Sequence, residues 1–287
     1  MGFQPFKTLL FGFAFSPSLK ANVFEVTRLA SFFKAELLFI HVGEKSTEKE
    51  KEFEKLLAEC TSIPPALKVY WRSGDPVSTL LAASEEFQVD LLLLGALKRE
   101  NVFRFYLGSI ARKLTRKAQC SVLLMLNPSV ERRPCQHIVV NGFDSPQTRE
   151  TVEAAFYVSH SLGSDKITLV EEISEARVAI AVNDDRSLRR AMLKKERINR
   201  EENNRVIDIV KTIPQAQKKG VNWGTQSIFG RRGYSIGHYA RVVRADLVVM
   251  NAQEKSGFFS RLFPKDIEHI LAELPTDVLI IKTQMNG

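Results

Sequence analysis

DLLLLGALKRENVFRFYLGSIARKLTRKAQCSVLL, residues Asp90–Leu124, decides how this chain is read. Four leucines behind an aspartate are too short for a membrane span and suit a strand buried in a parallel sheet. Gly95 ends that strand, and a loop from Ala96 to Leu107 leads to Gly108-Ser109. A helix is expected from Ile110 to Lys117, with Ile110, Leu114 and Ala118 as its apolar stripe, and then a strand over Ser121–Leu126. Connections of this type usually run to about two to six residues, so the loop asks for a reason.

Phosphate binding supplies one. Glycine at a strand end lets a ligand approach the backbone with no Cβ in the way. Gly108 and Ser109 sit where the free N–H groups of a helix N-terminus point outward, an anion site. Lys98, Arg99 and Arg104 add positive charge to the loop. Local residues also allow a plainer account, in which Gly95 ends a strand, Gly108 makes a turn and Ser109 caps a helix.

The second half of the chain bears on that choice. Asp246–Ile280, DLVVMNAQEKSGFFSRLFPKDIEHILAELPTDVLI, lies over Asp90–Leu124 without a gap. Asp90 meets Asp246, Gly95 meets Asn251, Phe103 meets Phe259, Gly108 meets Pro264, and Val122 meets Val278. A duplicated strand–loop–helix–strand unit makes the chain an internal repeat.

These residues resemble a family. Gly95, two residues, Lys98, nine residues and Gly108-Ser109 resemble the glycine signature of the universal stress protein family, with its second glycine replaced by lysine. RSGDPVSTLLAASEEFQVDLLLLG, Arg72–Gly95, is similar to that family's third helix and fourth strand. The resemblance implies two tandem Rossmann-like, doubly wound parallel five-stranded α/β sheets of the adenine nucleotide alpha hydrolase-like type, in strand order 3-2-1-4-5. The first domain is expected over residues 1–128 and the second over 136–287, joined by the proline-bearing linker Asn127–Gln136.

Taken in order, the residues fit that alternation. Thr8–Phe15 reads as the first strand, and Val26, Leu29, Ala30 and Phe33 as the core stripe of the first helix. Glu36–Val42 is the second strand, Ser46–Cys60 a surface helix, and Leu67–Trp71 the third strand. Asp75-Pro76 places an N-cap and a proline at a helix start. His137–Phe143 repeats the first strand, and Val152, Ala155, Phe156 and Ser159 repeat the first helix face. Ile167–Val170 and Val221–Gln226 are the next strands, with an extra apolar segment over Arg177–Val182. The stretch 184–219 is rich in both charge signs. Its ends read as helical, with Leu188 and Met192 at one and Val206, Ile209, Val210 and Ile213 at the other. INREENNR between them has almost no apolar face, so a solvated or mobile insertion is expected there.

Composition narrows the function. The 287 residues carry a net charge of +8, with 17 Lys/Arg against 13 Asp/Glu in residues 1–128 and 24 against 20 in the remainder. Basicity is shared by the halves and favours anionic partners only mildly. Cys60, Cys120 and Cys135 form no metal spacing and suit a reducing compartment. TLLFGFAF behind Lys7 imitates a signal peptide but fits a first strand, so the expected location is cytoplasmic.

Ligands of doubly wound sheets lie beyond the carboxyl ends of the strands where strand order reverses. The resemblance therefore places an adenine nucleotide, ATP with Mg²⁺, in the first domain only. Adenine is expected near Val42 and Leu94, and phosphates over Gly95, Lys98, Gly108, Ser109 and Ile110. Family members that bind ATP carry an aspartate at the end of strand one, where this chain has Ala14, and the second domain offers Asp144 one residue later. Asn251, Glu254, Pro264 and Lys265 replace the second domain's glycine signature, which points to a lost site. His41, His137, His160, His238 and His269 are scattered singly, and no hydrolase, zincin or Walker motif occurs.

The expectation is thus a stress-response binding protein, neither an enzyme nor a membrane protein, without a catalytic set or a metal site. Alternatives are an interaction scaffold that binds no nucleotide, or a nucleic-acid-associated basic protein using Lys98, Arg99, Arg104, Arg112, Lys113, Arg116 and Lys117. The final strands, Ser121–Leu126 and Asp277–Lys282, would be sheet edges free of charge and proline inside their runs, which need cover. They are expected to pair as an intramolecular pseudo-dimer, with a homodimer left open.

Overall fold

The leucine run is a strand, and its neighbours follow in the expected alternation. The computed structural model describes residues 2–98, 105–231, 233–252 and 270–282, and only the backbone of Leu97, Lys98, Phe105 and Tyr106. The first half runs β1 (Thr8–Phe13), α1 (Leu19–Phe33), β2 (Glu36–Val42), α2 (Thr47–Ala58), β3 (Leu67–Arg72), α3 (Pro76–Glu86), β4 (Leu91–Gly95), the short β5 (Leu97–Lys98) and β6 (Phe105–Tyr106), α4 (Ser109–Lys117) and β7 (Ser121–Met125). The second runs β8 (His137–Asn141), α5 (Thr148–Leu162), β9 (Lys166–Ile173), α6 (Glu175–Val178), α7 (Asp185–Thr212), α8 (Gln215–Lys218), β10 (Asn222–Phe229), α9 (Tyr234–Val242), β11 (Leu247–Asn251) and β12 (Asp277–Ile281).

The chain divides into two compact units, Gln4–Pro134 with Leu271–Gly287, and Met1–Phe3 with Cys135–Ile270. In the former the strand order is β12-β7-β4-β1-β2-β3, so the first repeat has the expected 3-2-1-4-5 arrangement. In the latter it is β10-β9-β8-β11, the same order through its fourth strand. Pairing is parallel between β4 and its neighbours β1 and β7, and Leu91, Leu92 and Leu93 are fully buried. The one antiparallel partner of β7 is β12, with Val278 opposite Leu124 and Ile280 opposite Val122. The last strands of the two repeats therefore cover each other's backbone groups. Asp277 and Lys282 bracket the pair: Leu126 N–H donates to the Asp277 carboxylate at 2.8 Å, and Lys282 N–H donates to Ser121 Oγ at 3.2 Å.

The same device seats the first strand of each repeat. Asp90, just before β4, accepts hydrogen bonds from the N–H groups of Lys7 and Thr8 at 2.8 and 2.9 Å. Asp246, just before β11, accepts from Gln136 and His137 at 2.8 and 2.9 Å. Two residues that meet in the sequence repeat thus make equivalent contacts.

Local signals explain the starts of α2 and α3. Asp75 accepts from Ser78 N–H at 3.0 Å, and Pro76 opens α3 as its fixed φ allows. Ser46 caps α2 in the same way. Arg28, 7% exposed on α1, donates to the Ser129 and Val130 carbonyls at 2.6 and 3.0 Å and pins the start of the linker.

Three sequence expectations need correction. Strand one ends at Phe13 rather than Phe15, because the Phe13 carbonyl is taken by His41 Nδ1 at 3.1 Å and Ser16–Ser18 turns into α1. The loop over 96–107 contains a small antiparallel pair, Leu97 opposite Tyr106 and Lys98 opposite Phe105. The charged stretch beginning at Asp184 is helical at its ends as expected, but its middle is helical too: 28 of its residues form the single helix α7, opened by a reciprocal Asp184–Ser187 capping box. Its buried positions Ile198, Glu202, Val206 and Val210 recur every fourth residue. Glu202 holds its place in that stripe because Arg177 and Arg205 pair with it at 2.5 and 3.1 Å.

The carboxylate clamps give a stability prediction. Asp90→Ala and Asp246→Ala each remove one charged acceptor from two N–H donors, so each should cost about 1–3 kcal/mol. Urea unfolding monitored by backbone circular dichroism should show a lowered midpoint in both, and an unchanged midpoint would mean that water replaces the clamp.

Candidate functional site

Because Leu9 pairs with Leu91 and Leu91 with Ser121, β1, β4 and β7 run level and end together. A cavity of about 360 Å³ opens beyond the ends of β1 and β4. That size falls in the range of small-molecule pockets. Its floor is Phe11, Gly12, Phe13, Leu94 and Gly95, one wall is the start of α1 with Ser18, Leu19 and Asn22, and the other is the start of α4. Gly12 matters for the packing beneath it, since a Cβ there would stand 2.6 Å from Leu80 Cδ1.

Five expected site residues come together here: Leu94, Gly95, Gly108, Ser109 and Ile110 all line the cavity. Val42, at the end of β2, is not among its lining residues. The Lys98 side chain, and Arg99 and Arg104, lie outside the described residues. No side chain among the described residues caps α4, whose N-cap is Gly108. At the other end of α4, Lys282 Nζ donates to the carbonyls of Thr115 (2.8 Å) and Ala118. Burial holds the Lys282 amine down to about 8, with the Cys120 sulfur opposing that shift. Cation at the C-terminus and open N–H groups at the N-terminus leave the positive end of the helix dipole facing the cavity.

Two features were not read from the sequence. Asn22 lies on the apolar stripe of α1, 8% exposed, and its Oδ1 has no hydrogen-bond partner among the described residues. A Cβ at Gly95 would stand 3.1 Å from that oxygen. The signal was a polar residue where the stripe of Val26, Leu29, Ala30 and Phe33, extended back one turn, demands an apolar one. The second feature is an aromatic cluster at the β1–β2–β3 side, in which Phe13 stacks on Phe53 at 4.1 Å and His41 lies 4.9 Å from Trp71. His41 is thus a buried, bonded core residue.

The corresponding place in the second repeat is filled by its own side chains. Asn251, at the position of Gly95, is 5% exposed and donates from Nδ2 to Ser145 Oγ at 3.0 Å. Glu254, Pro264 and Lys265 lie outside the described residues. Asp144 follows a strand that already ended at Asn141, so alternation along a strand does not govern it; its side chain is 70% exposed and 3.8 Å from Arg205 Nε. Equivalent pairing puts Glu171 where the first repeat has His41, and Glu172 where it has Val42. Glu172 accepts from Gly233 and Ile236 N–H at 2.9 and 2.7 Å and so caps α9. Arg205 of α7 donates to the Gly142 carbonyl at 2.6 Å, the role that His41 has toward Phe13. Glu171 is left beneath α7, 2% exposed, and neither carboxyl oxygen has a hydrogen-bond partner among the described residues.

No group of three His, Cys, Asp or Glu side chains is placed to hold a metal among the described residues, and no described helix is long and apolar enough to cross a membrane. Of the basic residues around α4, Arg112 turns inward and donates to the Leu271 carbonyl at 3.5 Å.

Comparison with known proteins agrees with the fold. Residues 5–125 match the model of the universal stress protein family. No curated protein matches the chain. Among solved structures, a functionally unknown protein from Pseudomonas aeruginosa PAO1 superposes with a TM-score of 0.67 at 14% identity, covering 97% of this chain and 93% of that one. A universal stress protein from Archaeoglobus fulgidus gives 0.57 at 15% identity, over 96% and 98%. The cytoplasmic domain of a prokaryotic cation chloride cotransporter gives 0.52 at 12%, over 98% and 97%. At these identities the likeness is one of fold.

The Glu171 environment sets a pH dependence. Burial pushes its carboxyl up to about 7; the Arg205 charge opposes this, Glu202 reinforces it, and Arg177 and Asp144 add smaller effects of opposite sign. Between about 4.5, the ordinary value, and about 7 the folded protein holds a proton that the unfolded chain has lost. Stability therefore falls as pH rises through that window, since the native state binds the more protons. Glu171→Gln should raise the melting temperature at pH 8, by on the order of 2–4 °C for each kcal/mol recovered. The gain should shrink toward pH 4.5; a pH-independent offset would contradict this account.

Proposed function

Because residues 5–125 form a universal stress protein domain, we propose that this protein is a regulatory binding module that takes an adenine nucleotide, ATP with Mg²⁺, in its first domain alone. The observation that carries this reading is the meeting of Gly95 with the uncapped start of α4 at Gly108-Ser109 around one cavity. Phosphates lie over the N–H groups of Ser109 and Ile110, where donors and dipole act together. The base lies against Leu94 and Phe13 rather than Val42, since those two line the cavity. Mg²⁺ arrives with the nucleotide, as the phosphates and water supply its oxygen ligands.

No chemical step is assigned. Hydrolysis needs a base or metal ligand at the phosphates, and the residue just after strand one is Ala14. The second domain serves architecture, its crevice occupied by Asn251 and Ser145. A cytoplasmic setting completes the reading.

Isothermal titration of the whole chain with ATP and Mg²⁺ tests it. Wild type should bind, and Gly95→Val should lose at least about tenfold in affinity, because even one Cβ there stands 3.1 Å from Asn22 Oδ1. Absence of binding by wild type would reject the reading. Steady phosphate release by wild type that disappears in Lys98→Ala would reject the non-enzymatic part of it.

A further inference from the structure

The start of α1 carries an unmet acceptor that the phosphate-binding features do not explain. Asn22 N–H donates to the Ser18 carbonyl at 3.0 Å as part of the helix, and its side-chain Nδ2 donates to the same carbonyl at 2.9 Å. A carbonyl can only accept, so the amide nitrogen must face Ser18 and the oxygen must face away from it. That oxygen is directed toward Gly95, on the cavity floor. The residue is 8% exposed and its Oδ1 has no partner among the described residues. Buried acceptors without partners are few in native structures, and a ligand or a bound water is among the explanations for one that faces a cavity.

We propose that Asn22 is a specificity-determining residue of the cavity, its Oδ1 accepting a hydrogen bond from a hydroxyl or amino hydrogen of the bound nucleoside. This rests on the nucleotide reading above and deepens it. An amide oxygen receives hydrogen bonds and gives none, so it favours a ligand atom that carries hydrogen over a bare phosphate oxygen. Being uncharged, it does this without repelling a polyphosphate held nearby at the start of α4, as a carboxylate in that place would. Ala14, just after β1, offers no polar side-chain atom, and the Ser16 and Ser18 hydroxyls, which also line the cavity, bond to each other at 3.2 Å. The buried acceptor of this wall without a partner among the described residues is therefore Asn22 Oδ1. The arrangement divides the ligand: Gly108, Ser109 and Ile110 read charge, and Asn22 reads the sugar or base.

The test compares two probes on the whole chain, ATP with Mg²⁺ and inorganic tripolyphosphate with Mg²⁺, by calorimetric titration of wild type, Asn22→Ala and Asn22→Ser. Both variants should bind ATP about tenfold more weakly, the loss of one buried hydrogen bond. Tripolyphosphate affinity should stay within about twofold of wild type, a split that a purely structural role would not produce. The ligand-free variants should melt close to wild type, because loss of the Nδ2 bond to the Ser18 carbonyl, which keeps the Asn22 N–H, is offset by removal of an unmet acceptor. If wild type binds ATP and both variants bind it equally well, the Asn22 assignment falls while the nucleotide reading stands. If both probes weaken together and the melting temperature drops, Asn22 is structural and the assignment falls. If wild type binds no ATP, the nucleotide reading fails and takes this inference with it.

Discussion

A single carboxylate at the start of the fourth strand fixes where everything else in the repeat ends. Asp90 holds the N–H groups of Lys7 and Thr8, and this sets Leu9 against Leu91. From that register the carboxyl ends of β1 and β4 fall level, at Phe13 and Gly95. The crevice beyond them, and the place of α1 and α4 on either side of it, follow from a constraint at the opposite end of the strands. Asp246 does the same for β8 and β11. A charged acceptor with two backbone donors is stronger than a neutral bond, and the backbone N–H groups of Asp90 and Asp246 return bonds to the Thr8 and His137 carbonyls, each at 2.9 Å.

Given equal frames, the repeats differ in what occupies the crevice. In the first, Gly95 leaves space, α4 begins without a side-chain cap, and His41 satisfies the Phe13 carbonyl from within the sheet. In the second, Asn251 bonds to Ser145, Glu172 caps α9, and Arg205 reaches in from α7 to the Gly142 carbonyl. Among the described residues, the Asn251 and Ser145 side chains and the Gly142 carbonyl there have internal partners. Glu171 is the cost of that arrangement, a carboxyl buried under α7 without a hydrogen bond. Burial of Ile198, Val206 and Val210 on the same helix offsets it, since each apolar side chain removed from water contributes about 1.5–3 kcal/mol.

Sequence carried the frame better than the filling. Leu91–Leu94, Asp75-Pro76 and the Asp90/Asp246 match were readable because strand burial, capping and repetition leave local traces. The middle of α7 was not, because its buried stripe includes Glu202, whose charge is met by Arg177 of the preceding helix α6 and by Arg205 one turn on. Hydrophobic periodicity cannot register an ion pair that completes an apolar face. Asn22 was missed for the opposite reason: one polar residue in an otherwise apolar stripe counts as noise until the structure places its oxygen against Gly95. The early end of β1 depended on His41 competing for a strand carbonyl, a tertiary contact with no local signature.

The central claim is that one crevice of a duplicated fold is open to a nucleotide and the other is closed by its own side chains. Amide chemical shifts followed by ¹H–¹⁵N correlation spectroscopy during titration with ATP and Mg²⁺ test it most directly. The account predicts saturable shifts at Gly95, Gly108, Ser109 and Ile110 and at the side-chain amide of Asn22, with Gly142, Ser145 and the Asn251 side chain unmoved. Shifts centred on Gly142, Ser145 and Asn251, or none in either set at millimolar nucleotide, would contradict it.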